Sequence, residues 1–288
     1  MSQEQSTFVP PAPDRPDDAH KGTFGTVVVV GGSPTMIGAP AMAATAALRA
    51  GAGLVKIMTH PSVLPYCLAI EPSATGIYPD LRSVTDLLGL KEDLVLAIGP
   101  GMGAGSEEQS AVESLLSIGR PVVLDADGLN NLTALGERVG RATSGLVLTP
   151  HPGEYRRLAA ASGLEFNPTD DAQRPEAAAA LAQRYGAVVV LKGRRTVVCD
   201  QVRRYVNPTG NPALATAGTG DVLTGLIAGL MAQGMSGFDA AVLGVYVHGL
   251  AADLWAARHG RAGLLAHELA SLIPDALESH RKQSRREG

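Results

Sequence analysis

The chain has few of the residues that stabilise secreted or membrane-bound proteins. Aromatic residues make up 4% of its 288 residues, and Cys67 and Cys199 are its only cysteines. Because these cysteines lie far apart and in no metal-ligand spacing, we expect two reduced thiols in a cytoplasmic protein. No stretch reaches the roughly 18 consecutive apolar residues of a membrane span. The net charge of −4 argues against a nucleic-acid binder that neutralises phosphates, so neither a membrane nor a nucleic acid is an expected partner.

The two ends of the chain have little apolar character. Residues 1–19 are rich in Pro, Asp, Gln and Ser and predict a disordered leader without a signal peptide or membrane anchor. Residues 281–288 form a basic tail, which is expected to be a solvated terminus. The hydrophobic content of 45% allows the stretch between them, 20–280, to form a single catalytic domain.

Short β-branched runs alternate with segments of helical spacing in this domain. That alternation is typical of an α/β fold, a doubly wound and mostly parallel sheet with helices on both faces. The predicted parallel strands are 26–30, 54–58, 94–98, 122–124, 146–148 and 188–191. Two more runs, 196–199 and 202–206, predict an antiparallel hairpin at an edge of the sheet. The predicted helices are 39–50, 107–118, 154–161, 175–185, 222–232, 238–258 and 265–280, the last with a break near Pro274.

Glycines or charged groups follow five of the predicted strands. Because the carboxyl ends of parallel strands meet at one edge of a sheet, these segments are expected to surround a ligand. They are 31–33 with 38–39, 99–103, 125–130, 149–154 and 192–196. One glycine-rich loop would be weak evidence, but their convergence on one edge predicts a binding site.

The segment 211–229 carries the most specific chemical signal. Gly218 and Gly220 precede an apolar helix, and the free N–H groups at the start of a helix bind phosphate well. Asp221 would repel a phosphate, so its position indicates that it faces a neutral hydroxyl which must lose a proton. The segment therefore predicts phosphoryl transfer. The alternative is that Asp221 only caps the helix.

Together these motifs resemble a known family. The motifs are Gly-Pro-Gly-Met-Gly (99–103), Asp-Ala-Asp (125–127), Thr-Pro-His-Pro-Gly-Glu (149–154), Lys-Gly-Arg-Arg-Thr (192–196) and Gly-Thr-Gly-Asp (218–221). From His20 to about residue 275, the chain is similar to the ADP-dependent NAD(P)H-hydrate dehydratases of the ribokinase-like superfamily. Gly-Thr-Gly-Asp alone indicates only the superfamily, whereas His-Pro-Gly-Glu with the first glycine turn is more selective.

The resemblance implies a cofactor-repair reaction. The S-epimer of hydrated NADH or NADPH would be dehydrated to the working cofactor at the expense of ADP, giving AMP and phosphate, with Mg²⁺ as the metal. Asp221 would take the proton from the ring hydroxyl as its oxygen attacks the terminal phosphorus of ADP. With an ordinary pKa near ~3.9, Asp221 would be a weak base that acts late in the transfer.

The resemblance also assigns residues to the two substrates. The residues implied for the hydrated dinucleotide are Ala39, Gly103, His151 and Asp221. Those implied for the nucleotide are Lys192, Gly193, Arg194, Arg195, Thr196, Gly218, Thr219 and Gly220. The metal ligands stay open, with Glu154, Asp125 and Asp127 as candidates. Family likeness further implies a homotetramer and a separate epimerase, since the chain has no room for an epimerase domain before His20.

Other interpretations share part of this evidence. A hydroxyethylthiazole-kinase-like or pyridoxal-kinase-like enzyme would have the same fold and the same Gly-Thr-Gly-Asp element, and a regulatory nucleotide-binding module would keep the pocket without turnover. His151 and Lys192 each have a plain alternative, as a structural histidine and as a surface charge. A dinucleotide dehydrogenase is disfavoured, because the first turn lacks the Gly-x-Gly-x-x-Gly fingerprint.

Overall fold

A single twisted sheet organises the protein. The computed structural model describes residues 4–78, 94–136 and 145–287. The strands of the described part form one ten-stranded sheet in the order β1-β10-β9-β8-β7-β6-β5-β2-β3-β4. They are β1 (Glu4–Ser6), β2 (Thr26–Val30), β3 (Leu54–Met58), β4 (Thr75–Ile77), β5 (Leu94–Ile98), β6 (Val122–Leu124), β7 (Leu146–Leu148), β8 (Val188–Leu191), β9 (Val197–Cys199) and β10 (Arg203–Val206).

The sheet is parallel except around β9. That strand runs antiparallel to both β8 and β10, which confirms the predicted hairpin. The hairpin is not the edge of the sheet, because β1 adds to β10 in parallel through Glu4 to Ser6. The six predicted parallel strands are confirmed with the bounds expected from their continuous apolar runs.

Helices cover both faces of the sheet. They are α1 (Gly38–Ala50), α2 (Leu64–Ile70), α3 (Ser106–Ser117), α4 (Asp127–Leu135), α5 (Pro152–Ala161), α6 (Arg174–Tyr185), α7 (Thr219–Ala232), α8 (Gly237–His259) and α9 (Ala266–Glu287). Val27 and Val29 of β2 pack with α1, α2 and α7 to α9, whereas Val28 and Val30 pack with α3 to α6. This split follows from the alternation of side chains along a strand, and it confirms the predicted α/β architecture.

Small residues bring helix α7 close to its neighbour, α1. A Cβ atom built on Gly225 of α7 would lie 1.9 Å from the carbonyl oxygen of Ala43 in α1. A Cβ atom on Gly229 would lie 2.7 Å from the carbonyl oxygen of Ala47. Both distances are far below van der Waals contact, so only glycine allows this approach. The close contact fixes where α7 begins relative to the first glycine turn.

The chain ends differ from the expected leader and tail. The segment before His20 contributes β1, buries Ala12, and places Arg15 Nη1 2.9 Å from the carbonyl oxygen of Gly51. Helix α9 continues through Pro274 to Glu287, so the described helix does not break at the proline as expected. Buried Ala276 and His280 beyond the proline pack against the body of the protein, and this packing outweighs the missing N–H donor.

One helix of the described part, α8 at Gly237–His259, is long and apolar enough to cross a membrane. Its most apolar window is 61% buried inside the fold, as the core helix of a soluble protein would be. Length and composition alone are therefore weak evidence for a membrane span here.

Candidate active site

The start of α7 forms an anion site. Gly218 is the N-cap residue at φ +92°, and among the described residues no side chain caps this helix, so the first N–H groups of the helix lack a side-chain partner there. The interpretation of Asp221 as a capping residue is therefore wrong. Asp221 lies within the first turn instead. His248 of α8 supports the turn from behind, with Nε2 2.9 Å from the Thr219 carbonyl oxygen.

The pKa of Asp221 differs from the expected value. Burial and, secondarily, the negative charge of Asp125 raise the pKa of Asp221 to about 7 against the opposing positive charge of Lys192. Its ordinary pKa near ~3.9 would make a weak base, so the expectation of a weak, late-acting base is replaced. A carboxylate with this pKa is matched to accepting a proton near neutral pH.

A buried polar cluster stands beside Asp221. Lys192 Nζ lies 2.5 Å from Asp125 Oδ1, and the Thr224 hydroxyl donates to Asp125 Oδ2 at 2.7 Å. A Cβ atom on Gly220 would lie 3.4 Å from Lys192 Nζ, so the ammonium group sits against the backbone of the anion site. Asp125 is 1% exposed, which makes this pair a buried one. Thr224 is one helical turn beyond Asp221, so α7 supplies both side chains from one face.

The charge of Lys192 is secured by its neighbours. Burial alone lowers the pKa of Lys192, but the carboxylates of Asp125, Glu154 and Asp221 together raise it above its ordinary value. The side chain is 17% exposed. Lys192 is thus a fixed cation inside the site, and the alternative of a plain surface charge is wrong.

His151 and Glu154 form a capping box at the start of α5. The backbone N–H groups of Gly153 and Glu154 donate to His151 Nδ1 at 2.9 and 3.4 Å, and the His151 N–H donates to Glu154 Oε2 at 2.7 Å. His151 Nε2 lies 3.3 Å from Glu154 Oε1. Burial, with the positive charges of Lys192 and Arg157, lowers the pKa of His151. His151 therefore has a structural role as a cap, and its half-exposed ring also borders the site.

Gly103 is held by the neighbouring strand end. Its N–H donates to Asp127 Oδ2 at 2.9 Å, and its carbonyl oxygen accepts from Asn131 Nδ2 at 3.0 Å. A Cβ atom on Gly103 would meet no atom of residues 4–78, 94–136 or 145–287 within 4 Å, so these residues leave the space in front of it open. Its φ of +86° is a conformation that favours glycine. Ala39, in contrast, is only 4% exposed.

The segment 192–196 crosses from the buried cluster to the surface. Arg194 and Arg195 are exposed, and Arg195 has a left-handed φ of +52°. The Thr196 hydroxyl donates to the Gly193 carbonyl oxygen at 2.9 Å and closes the loop. Arg195 also lines a cavity of about 300 Å³ that is shared with Arg174 and Arg204.

The three candidate metal ligands do not form a ligand set. Asp125 is bonded to Lys192 and Thr224, and Asp127 accepts from Gly103 and Asn130. Among the described residues, no group of three or more His, Cys, Asp or Glu side chains could hold a metal ion. Which of Glu154, Asp125 and Asp127 approaches Mg²⁺ therefore stays open.

Several positioning residues lay outside the expected set. Thr224, His248 and Asn131 each bond a residue of the site, but none of them is part of a motif that the sequence indicated. Thr224 had one available signal, since it follows Asp221 by three residues and so shares a face of the helix. His248 had none, because only the packing of α8 against α7 brings it to Thr219.

Comparison with known proteins identifies the family. The profile of the NAD(P)H-hydrate dehydratase family matches residues 27–275. The chain belongs to the NAD(P)H-hydrate dehydratase family. Among sequence relatives of this family, the ADP-dependent (S)-NAD(P)H-hydrate dehydratase of Neisseria meningitidis is 40% identical over 263 residues, which are 89% of this chain and 86% of the relative. The resemblance expected from the motifs is confirmed.

Longer relatives of the NAD(P)H-hydrate dehydratase family match only in part. The bifunctional NAD(P)H-hydrate repair enzyme of Moorella thermoacetica is 43% identical over 280 residues, which cover 93% of this chain and 52% of that enzyme. The chain thus spans about half the length of such bifunctional relatives.

Solved structures confirm the fold. The ADP/ATP-dependent NAD(P)H-hydrate dehydratase of Bacillus subtilis, co-crystallised with ATP and Mg²⁺, superposes with a TM-score of 0.81 at 35% identity, covering 93% of this chain and 94% of that one. A ribokinase-like superfamily protein of Enterococcus faecalis gives a TM-score of 0.80 at 26% identity over 93% of this chain and 92% of that one. The ribokinase-like fold of this NAD(P)H-hydrate dehydratase family member is as expected.

Proposed function

We propose that the protein is an ADP-dependent NAD(P)H-hydrate dehydratase. It returns the S-epimer of hydrated NADH or NADPH to the working cofactor and converts ADP to AMP and phosphate. The observation that carries this proposal is a partly buried carboxylate with its pKa raised to about 7, set in the first turn of a helix that no described side chain caps. The names and coverage of the single-function relatives support the same activity.

The proposed reaction has two steps. Asp221 accepts the proton of the ring hydroxyl, whose oxygen attacks the terminal phosphorus of ADP, and the bond from that phosphorus to the bridging oxygen breaks to release AMP. The lone pair of the ring nitrogen then expels phosphate as the C–O bond breaks, and loss of a proton from the adjacent ring carbon restores the ring double bond. Phosphorylation is needed because hydroxide is a poor leaving group and phosphate is a good one.

Backbone and side-chain charges would stabilise the transferred group. The backbone N–H groups of Gly218, Thr219 and Gly220 would bind the phosphoryl oxygens, and the Lys192 ammonium, which lies against Gly220, would offset their negative charge. The remainder of the loop, Gly193, Arg194, Arg195 and Thr196, would bind the adenylate part of ADP. Substrate residues Ala39, Gly103 and His151 would face the hydrated nicotinamide across Asp221.

The proposed function also involves Mg²⁺, an epimerase and an assembly of subunits. The Bacillus subtilis relative was co-crystallised with ATP and Mg²⁺, and we infer that Mg²⁺ enters here with the nucleotide, bound to phosphate oxygens and water. We further propose that a separate epimerase converts the R-epimer of the hydrate, a second activity that the name of the bifunctional repair enzymes suggests. We further propose a cytoplasmic homotetramer.

The kinase alternative predicts a different product. A hydroxyethylthiazole or pyridoxal kinase retains a stable phosphorylated alcohol, whereas a dehydratase releases free phosphate and a reduced nicotinamide. Purified protein would be incubated with acid-hydrated NADH and Mg²⁺ in the presence of ADP or ATP. Recovery of the near-ultraviolet absorbance of NADH, with AMP formed from ADP, is the expected result. No recovery with either nucleotide, together with phosphorylation of a thiazole or pyridoxal alcohol, would refute the dehydratase assignment.

A further inference from the structure

A buried arginine lies directly behind the segment 192–196. Arg174 is the first residue of α6, on the opposite face of the sheet from α7, and it is 4% exposed. Its guanidinium group donates to the carbonyl oxygens of Pro168 at 2.7 Å, Leu191 at 2.8 Å and Lys192 at 3.3 Å. The cation therefore bridges the loop before α6 and the end of β8.

This arginine is held by carbonyl dipoles and not by an acid. Among the ion pairs of the described residues, none includes Arg174. Its Nε atom is buried and has no hydrogen-bond partner within the described part of the chain. Burial lowers the pKa of Arg174, against the weaker effect of Asp171. A buried charge without an ion pair is costly, so its retention here calls for a specific gain.

The contacts of Arg174 converge on the backbone that carries Lys192. Gly193 follows at φ +137°, and a Cβ atom on it would lie 3.3 Å from both terminal nitrogens of Arg174. The guanidinium plane thus packs against the Gly193 backbone, where any side chain would crowd it. From this supported backbone, Lys192 extends to Asp125 and to the anion site at Gly220.

We propose that Arg174 is a positioning residue for nucleotide binding. By fixing the carbonyl groups of Leu191 and Lys192, it sets the direction in which the Lys192 ammonium enters the site and the shape of the loop that follows. We assign it no contact with either substrate, because both of its terminal nitrogens donate to protein carbonyl oxygens. This inference rests on the proposed function, in which the segment 192–196 binds ADP.

The test separates nucleotide affinity from turnover. Arg174→Lys, Arg174→Gln and Arg174→Ala would be compared with the wild type by isothermal titration with ADP and Mg²⁺ and by steady-state kinetics. Arg184→Ala is the matched control, since Arg184 lies near the other end of α6 over the Tyr185 ring. We expect Arg174→Gln to weaken ADP binding about tenfold, Arg174→Lys to fall between it and the wild type, and kcat at saturating ADP to stay within about threefold.

A chemical rescue distinguishes positioning from general destabilisation. Added guanidinium ion should restore part of the ADP affinity of Arg174→Ala and leave Arg184→Ala unchanged. Folded Arg174 variants with wild-type affinity for ADP would overturn the inference. It would also be overturned if ADP affinity, kcat and the KM for the hydrate all worsened equally and guanidinium ion restored none of them. If Arg174 variants do not fold, Gly193→Ala provides the test, because its methyl group meets the same guanidinium. Unchanged ADP affinity in that variant would also overturn the inference.

The wild type and Lys192→Ala separate the two proposals. A wild type that binds no ADP would contradict the proposed function itself. A different result would refute only the role of Arg174. In that result the wild type binds ADP and Lys192→Ala weakens the binding, whereas the Arg174 variants bind ADP as the wild type does.

Discussion

At the scale of single residues, the environment of Asp221 determines what the site can do. The same side chain on a solvated surface would be ionised and weakly basic at neutral pH. Here burial and Asp125 bring its pKa to about 7, while Lys192 keeps the carboxylate from being neutralised altogether. The buried Asp125–Lys192 pair is thus part of the chemistry as well as the packing.

Replacing the base should separate binding from turnover. We predict that Asp221→Asn lowers kcat by about 10² to 10⁴, the usual contribution of a general base, and leaves ADP affinity nearly intact. Asp239→Asn is the matched control, because Asp239 also lies in the first turn of its helix, α8, but away from the site. Measurement of kcat and of ADP binding tests both variants. A near-normal rate for Asp221→Asn would remove Asp221 from the role of base.

The pH dependence of the rate follows from the same pKa. Asp221 accepts a proton only as a carboxylate, and its raised pKa means that this form is gained as the pH rises through about 7. We therefore predict that kcat/KM for the hydrate increases from pH 5.5 to 8 and levels off above the pKa. A rate profile that is flat over this range, or that falls, would contradict the assigned pKa.

At the scale of elements, sequence patterns were informative where one strong local signal acts. Continuous apolar runs located β2, β3, β5, β6, β7 and β8, because buried parallel strands are apolar on both faces. Patterns failed where distant packing decides. Helix α9 continues through Pro274, and the polar segment before His20 pairs with β10, because contacts far away in sequence hold them.

The site shows the same division. Gly218, Gly220 and Asp221 could be predicted because they lie within four residues of each other at a helix start. The pKa of Asp221 could not be predicted, because it depends on burial. The supporting contact of His248 could not be predicted either, because His248 lies 29 residues from Thr219 in the sequence. The capping box of His151 was missed although its sequence, His-Pro-Gly-Glu, places the glutamate at the required spacing.

Removing the N-terminal segment tests its packing. Deletion of residues 1–18 removes the pairing of β1 with β10, the buried Ala12, and the hydrogen bond of His280 Nε2 to the Pro10 carbonyl oxygen at 2.9 Å. We predict a fall in Tm of about 4 to 8 °C, as expected for a loss of roughly 2 kcal/mol in a protein of this size. Differential scanning calorimetry measures it. An unchanged Tm would support a disordered leader instead.

At the scale of the whole molecule, a ten-stranded sheet places two exposed apolar side chains near its β4 end. Tyr66 and Ile70 of α2 are 60% and 51% exposed. Contiguous exposed apolar patches mark contacts between proteins, and we propose that Tyr66 and Ile70 belong to such a patch. We predict a homotetramer, which light scattering after size exclusion would report as a single species of four times 29.6 kDa. A monomer at all concentrations would refute this prediction.

The central claim is that the ring hydroxyl leaves as part of a phosphate, and isotope labelling tests it most directly. NADH would be hydrated in water enriched with heavy-isotope oxygen, purified, and converted in ordinary water with ADP and Mg²⁺. The account predicts one heavy oxygen atom in each molecule of phosphate, measured by mass spectrometry, because the labelled hydroxyl attacks the terminal phosphorus of ADP. Phosphate that carries no heavy oxygen, with the label released as water, would contradict the proposed phosphorylation.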